Sequence, residues 1–98
     1  MVNIDLSSVL QERLKVKRPD VIRLIKSASR DRRLVFTGHA LDEMDVEGET
    51  QESVARALHT AKSFTLQDNG RWRVHGDELT VIVQMEDSTV FVWTVFTG

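Results

Sequence analysis

The run Val90-Phe91-Val92-Trp93-Thr94-Val95-Phe96 is apolar on both of the faces that a strand would present. Such a strand needs cover on both sides, so it belongs at the centre of a sheet or against a partner. Its β-branched and aromatic residues suit a pleated strand better than a helix. The residues before it supply neighbours. Residues 79–85 read as a second β-branched-rich strand, joined to the last by a turn at Glu86-Asp87-Ser88. Arg71-Trp72-Arg73-Val74-His75 alternates, turning Trp72 and Val74 inward and Arg71, Arg73 and His75 outward. Phe64-Thr65-Leu66-Gln67 is a short strand, and Asp68-Asn69-Gly70 is a strong turn signal because Asn-Gly readily supplies positive φ angles. Gly76-Asp77-Glu78 makes the next turn.

Upstream the apolar period becomes helical. Val21, Ile22, Leu24, Ile25 and Ala28 form a stripe over residues 19–29, and Pro19 suits the first turn, where its missing N–H costs nothing. Arg23, Lys26 and Arg30 fall on the other side, and Arg32 and Arg33 extend the positive charge into the extended piece Leu34-Val35-Phe36. A cationic helix face is ordinarily just solvated; a phosphate-binding role is the sharper alternative. Gly38 then opens a helix containing His39, with Ala40, Leu41 and Met44 toward the core and Asp42, Glu43 and Asp45 toward water. Thr50 is the N-cap of the next helix, with Ser53 where Glu would complete a capping box. Val54, Ala57, Leu58 and Ala61 mark its buried side. At the start, Leu6, Val9, Leu10 and Leu14 fit a short helix or a loosely attached arm, with Ser7 or Asp5 as its cap. The expected fold is α+β: three or four N-terminal helices packed on one face of an antiparallel sheet of about four strands. Residues 1–98 form a single domain, of which 1–18 are the helix or arm.

Composition narrows the chemistry. The chain has no cysteine, which removes disulfides and thiolate-metal sites. No apolar run approaches the roughly 20 residues that span a bilayer, and the N-terminus lacks the order of a signal peptide, so a cytoplasmic location is expected. The net charge of -2 hides an asymmetry: residues 1–35 hold nine basic and four acidic side chains (9 - 4 = +5), and residues 36–98 hold four and eleven (4 - 11 = -7). There is no Walker loop, no dinucleotide glycine fingerprint, no zinc-like His/Glu pairing and no serine elbow. No cofactor and no metal site is expected. What remains is a set of cations and imidazoles. A metal-free ribonuclease needs a base for the ribose 2′-OH, an acid for the leaving 5′ oxygen and cations around the phosphorane. His39 and His75 could be base and acid, Arg71 and Arg73 could hold the phosphate, and Trp72 or Trp93 could stack on a base if exposed. The ordinary readings are a packed ring or cap for His39, a hairpin closure for His75, solvated charges for the arginines and core positions for the tryptophans. His59 reads as structural.

The segment His39-Ala40-Leu41-Asp42-Glu43-Met44 resembles a family of small bacterial and phage domains catalogued as domain of unknown function number 4258. Met44, Gly48, Thr50 and Val54 stand at matching spacings, as do Arg73-Val74-His75-Gly76 and the apolar final strand, so the likeness covers about residues 21–96. The layout is also similar to the motility-quorum-sensing-regulator toxins, through Phe36-Thr37-Gly38-His39-Ala40, and more distantly to RelE-like ribonuclease toxins. The resemblance implies a RelE-like α+β architecture and messenger-RNA cleavage by a toxin that a cognate antitoxin neutralises. The chain departs from the pattern at Glu47, Glu49 and Glu43, where arginine, isoleucine and a basic residue are usual. Each acidic side chain close to an RNA site would repel phosphate by roughly 1 kcal/mol. The leading expectation is therefore a toxin-like domain of a toxin–antitoxin or related phage or defence module, with His75, Arg73, His39 and Arg71 at its site. The alternative is a non-catalytic module of the same fold, binding a protein through the acidic helices or the last strand. The partners to expect are RNA or the ribosome, an antitoxin or other protein, and a second copy of the chain.

Overall fold

The computed structural model describes residues 18–98. The chain runs α1 (Arg18–Arg30), β1 (Leu34–Phe36), α2 (Gly38–Glu47), α3 (Gln51–Thr60), β2 (Ser63–Leu66), β3 (Trp72–His75), β4 (Leu79–Glu86) and β5 (Thr89–Thr97). The helix or arm expected before α1 lies outside the described residues. The α+β class holds, with three helices among the described residues, but the sheet differs from expectation. It has five strands in the order β1-β5-β4-β3-β2, and it is mixed. The additional strand is Leu34-Val35-Phe36, which pairs in parallel with Val90, Phe91 and Val92 on the outer side of β5.

This pairing makes β5 an interior strand, as its two-sided apolar character requires. Val90, Val92 and Val95 are all buried against the helices. They are not in strict alternation, because β4 sets Val83 opposite Val92 and Ile82 opposite Thr94, leaving Trp93 as an extra residue. This β-bulge resets the inward phase so that Val95 rejoins the core, while Trp93 turns to the face opposite the helices. Val21, Ile25 and Ala28 from α1, Ala40 and Met44 from α2, and Val54 and Leu58 from α3 complete the core with Val74, Val81 and Val83.

Local chemistry explains the helix boundaries. Pro19 lies in the first turn of α1. The Thr37 side chain accepts from the Ala40 N–H and caps α2, which ends at Gly48 in the left-handed region at φ 74°. The capping box of α3 is complete after all. Ser53 Oγ accepts from the Thr50 N–H at 2.9 Å, and the Ser53 N–H donates to Thr50 Oγ1 at 3.0 Å, so serine fills the role expected of glutamate. Two assignments on α2 are corrected. Leu41 is 41% exposed and outside the core. Glu43 is half-buried: its Oε1 accepts from the Val95 N–H at 3.0 Å, on the edge of β5 beyond the end of β1. A carboxylate thus completes an edge that β1 is too short to cover.

Replacing Leu58, which is fully buried, by alanine should cost about 2–5 kcal/mol of unfolding free energy in urea titration. Leu41→Ala should cost less than about 1 kcal/mol, since that side chain is largely solvated.

Candidate functional site

The sheet face opposite the described helices is built by alternation. Trp72 and Val74 enter the core, so the residues between and beside them, Arg71, Arg73 and His75, lie on the opposite face. The β3–β4 register places Arg73 beside Ile82 and His75 beside Thr80, and the β4–β5 register continues these rows to Thr94 and Phe96.

Each of the three side chains is held. The Arg71 guanidinium lies 4.1 Å from the centre of the Trp93 ring, and its Nε donates to Gln84 Oε1 at 3.0 Å. Gln84 is fixed in turn by donating to Glu86 at 3.2 Å. The Arg73 guanidinium lies 5.4 Å from the Phe96 ring centre. Its Nε is buried and has no hydrogen-bond partner among the described residues. His75 Nδ1 is 3.2 Å from Thr80 Oγ1, and that hydroxyl donates to the Gly98 carbonyl at 2.6 Å. Because the hydroxyl proton goes to Gly98, the Thr80 oxygen accepts from His75, which places a proton on Nδ1 and leaves Nε2 as the nitrogen that can take one up.

The other basic groups are engaged differently. Arg23 pairs with Asp20, Arg30 and Arg33 with Asp31, and Arg32 with Glu52. Hydrogen bonding from Arg30 holds the Asp31 carboxyl below its ordinary range. Lys26 donates to the carbonyls of His59 and Ala61, and desolvation lowers its pKa. Among the described residues of the basic stretch, Arg23, Arg30, Arg32 and Arg33 therefore fold onto acidic partners, including Glu52 of the acidic remainder. Arg71 and Arg73 differ from these groups. Among the described residues neither makes an ion pair with a carboxylate; each rests on an aromatic ring.

His39 stands apart. Its Nε2 is 3.2 Å from Glu43 Oε2 on the same helix, and no hydrogen bond or ion pair among the described residues links it to Arg71, Arg73 or His75. α2 packs along β5, and β4 lies between β5 and β3. Of the four candidate residues the fold thus gathers Arg71, Arg73 and His75 and leaves His39 on the flank. Trp72 is core, whereas Trp93 is the platform under Arg71. Thr80, Gln84 and Phe96 join the site without having been singled out in the sequence. The polar residues Thr80 and Gln84 at even positions of an otherwise apolar strand were the available signal. Among the described residues no group of three or more His, Asp or Glu side chains is placed to hold a metal ion, and no helix is long and apolar enough to cross a membrane.

Comparison with protein-family models, with curated proteins and with solved structures gives no match for this chain.

Glu43 and His39 make separable contributions. Glu43→Ala leaves the Val95 N–H without its acceptor and should cost about 1–3 kcal/mol in urea titration. His39→Ala removes only an exposed partner and should cost less than about 1 kcal/mol. Equal losses would contradict the assignment of Glu43 as the cap of the β5 edge.

Proposed function

We propose that this chain is a toxin-like domain of a toxin–antitoxin, phage or defence module that binds RNA on the sheet face opposite the described helices and cleaves it without a metal ion. The observation that carries this reading is the pair of guanidiniums on aromatic rings that, among the described residues, have no carboxylate partner, with a buried Nε on Arg73 that has no acceptor there either. A guanidinium that no carboxylate neutralises is available for a charge-assisted bond to a phosphate oxygen, and a buried Nε without an acceptor adds to the cost of leaving Arg73 unliganded. Arginine also presents the forked donor geometry that phosphate fits. Trp93 and Phe96, already stacked with cations, offer ring surface for a nucleobase at the same place.

In this reading Arg71 and Arg73 hold the scissile phosphate and offset the charge that develops on the phosphorane. His75 Nε2 takes the 2′-OH proton, the 2′ oxygen attacks phosphorus, and the 5′ oxygen leaves with a proton from water or from the imidazolium. Thr80 fixes the tautomer from the far side of the ring. His39 has no part in these steps; it positions Glu43. The RelE-like architecture implied by the sequence resemblance belongs to the same proposal, as do the cytoplasmic location and a neutralising antitoxin.

The second reading is a protein-interaction module of the same fold. Val46, 83% exposed between Asp45 and Glu47 on α2, favours it, because an apolar side chain framed by carboxylates suits a basic, partly apolar partner.

Induction in bacteria separates the two. The ribonuclease reading expects growth arrest and transcript cleavage. His75→Ala should lower cleavage by about 10²–10⁴-fold and Arg73→Ala by about 10²–10³-fold, with growth restored in both. His39→Ala should leave cleavage unchanged once its folding is verified. Intact transcripts and normal growth with the unaltered chain, or retained toxicity in both of the first two variants, would refute the reading.

A further inference from the structure

We propose that two copies of this chain pair edge to edge through β2, antiparallel, about a twofold axis at Thr65. Half of the β2 backbone is already engaged. Ser63 pairs with His75 and Thr65 with Arg73, and the Gln67 N–H donates to the Arg71 carbonyl at 2.8 Å. In an antiparallel ladder these alternate residues exchange bonds with β3, so the N–H and C=O of Phe64 and Leu66 point the other way. β2 is the last strand of the sheet, and among the described residues no hydrogen bond is made by those outward groups.

The edge lacks the usual protection. Strand edges are commonly guarded by a charge, a proline or a bulge. Ser63-Phe64-Thr65-Leu66-Gln67 carries none of these, and Leu66 is 51% exposed. A twofold axis at Thr65 sets Phe64 of each copy against Leu66 of the other, where both bonds of each pair can form. The same register sets the exposed Leu66 side chain on the same face as the neighbour's Phe64, at the rim of the core in which Phe64 is buried.

Charge selects this register. With Thr65 on the axis, the exposed Lys62 that precedes β2 comes opposite the exposed Asp68 that follows it in the second copy, and this occurs at both ends. Sliding the axis by one residue removes this match and turns the apolar pair out of phase. The opposite edge offers no equivalent. Self-pairing of β1 about Val35 would set Arg33 against Thr37 and Arg32 against Gly38, and β1 has only three residues. The pairing through β2 would extend the sheet across the axis with both helix layers on one side. It would also set two Arg71–Arg73–His75 rows on one continuous face.

Sedimentation analysis of the full chain over a wide concentration range tests the proposal. The expected result is a reversible shift from one chain to two. Leu66→Pro removes only an outward N–H, which an edge strand tolerates, and should weaken association at least about tenfold while circular dichroism and thermal midpoint are retained. Lys62→Glu and Asp68→Lys alone should each weaken it about tenfold, and the two together should restore it, because the pair forms between copies. A chain that stays monomeric at every concentration, a dimer indifferent to Leu66→Pro, or a double variant no tighter than the single ones would overturn it. If Leu66→Pro unfolds, the charge-exchange series alone decides. RNA cleavage has no part in these measurements, so this proposal and the ribonuclease reading succeed or fail separately.

Discussion

The fold depends on keeping β5 paired along both edges and covered on its helical face. β4 lies along one edge in antiparallel register, and the other is divided between two very different partners. β1 takes its first part through Leu34, Val35 and Phe36, and the Thr37 N–H adds a bond to the Val92 carbonyl at 3.1 Å. Beyond that the chain has already turned into α2, whose Glu43 takes the Val95 N–H. A central strand with unmet backbone groups would lose several kcal/mol, so the strand-to-helix transition at Thr37 and Gly38 is tied to sheet completion. This gives the acidic residue at position 43 a structural reason for being there.

The bulge on β5 links that constraint to the candidate site. By resetting the alternation at Trp93 it keeps Val95 in the core, and it puts the indole under Arg71. The site is therefore made by the same irregularity that lets an apolar strand satisfy both of its faces. Among the described residues, Arg23, Arg30, Arg32 and Arg33 sit on Asp20, Asp31 and Glu52, and Lys26 sits on backbone carbonyls. Arg71 and Arg73, which share a sheet face, make no ion pair with a carboxylate among the described residues and rest on aromatic rings instead.

What can be seen in the sequence follows from how local each signal is. The alternation from Arg71 to His75, the Asn-Gly turn and the apolar stripe of α1 depend on neighbours a few residues away, and the structure bears out each of them. Leu34-Val35-Phe36 reads as extended but not as a member of the sheet, because a three-residue parallel pairing with β5 leaves no trace in local periodicity. The bulge at Trp93 is hidden for a related reason: a register shift is a property of two strands, and Trp93 alone looks like another core aromatic. Glu43 reads as a solvated helix charge since its partner lies 52 residues on. A scarcity of histidines makes it natural to join His39 to the arginine strand, but α2 docks along β5, with β4 intervening.

The central claim, that the sheet face opposite the described helices carries the nucleic-acid site, is tested most directly by titrating isotope-labelled protein with a short single-stranded RNA and following its amide and indole NMR signals. The Trp93 indole and the signals of Arg71, Arg73, His75 and Gln84 should shift together, while the buried Trp72 indole and α1 stay in place. Shifts confined to α1 and the acidic helices, or none at any RNA concentration, would contradict it.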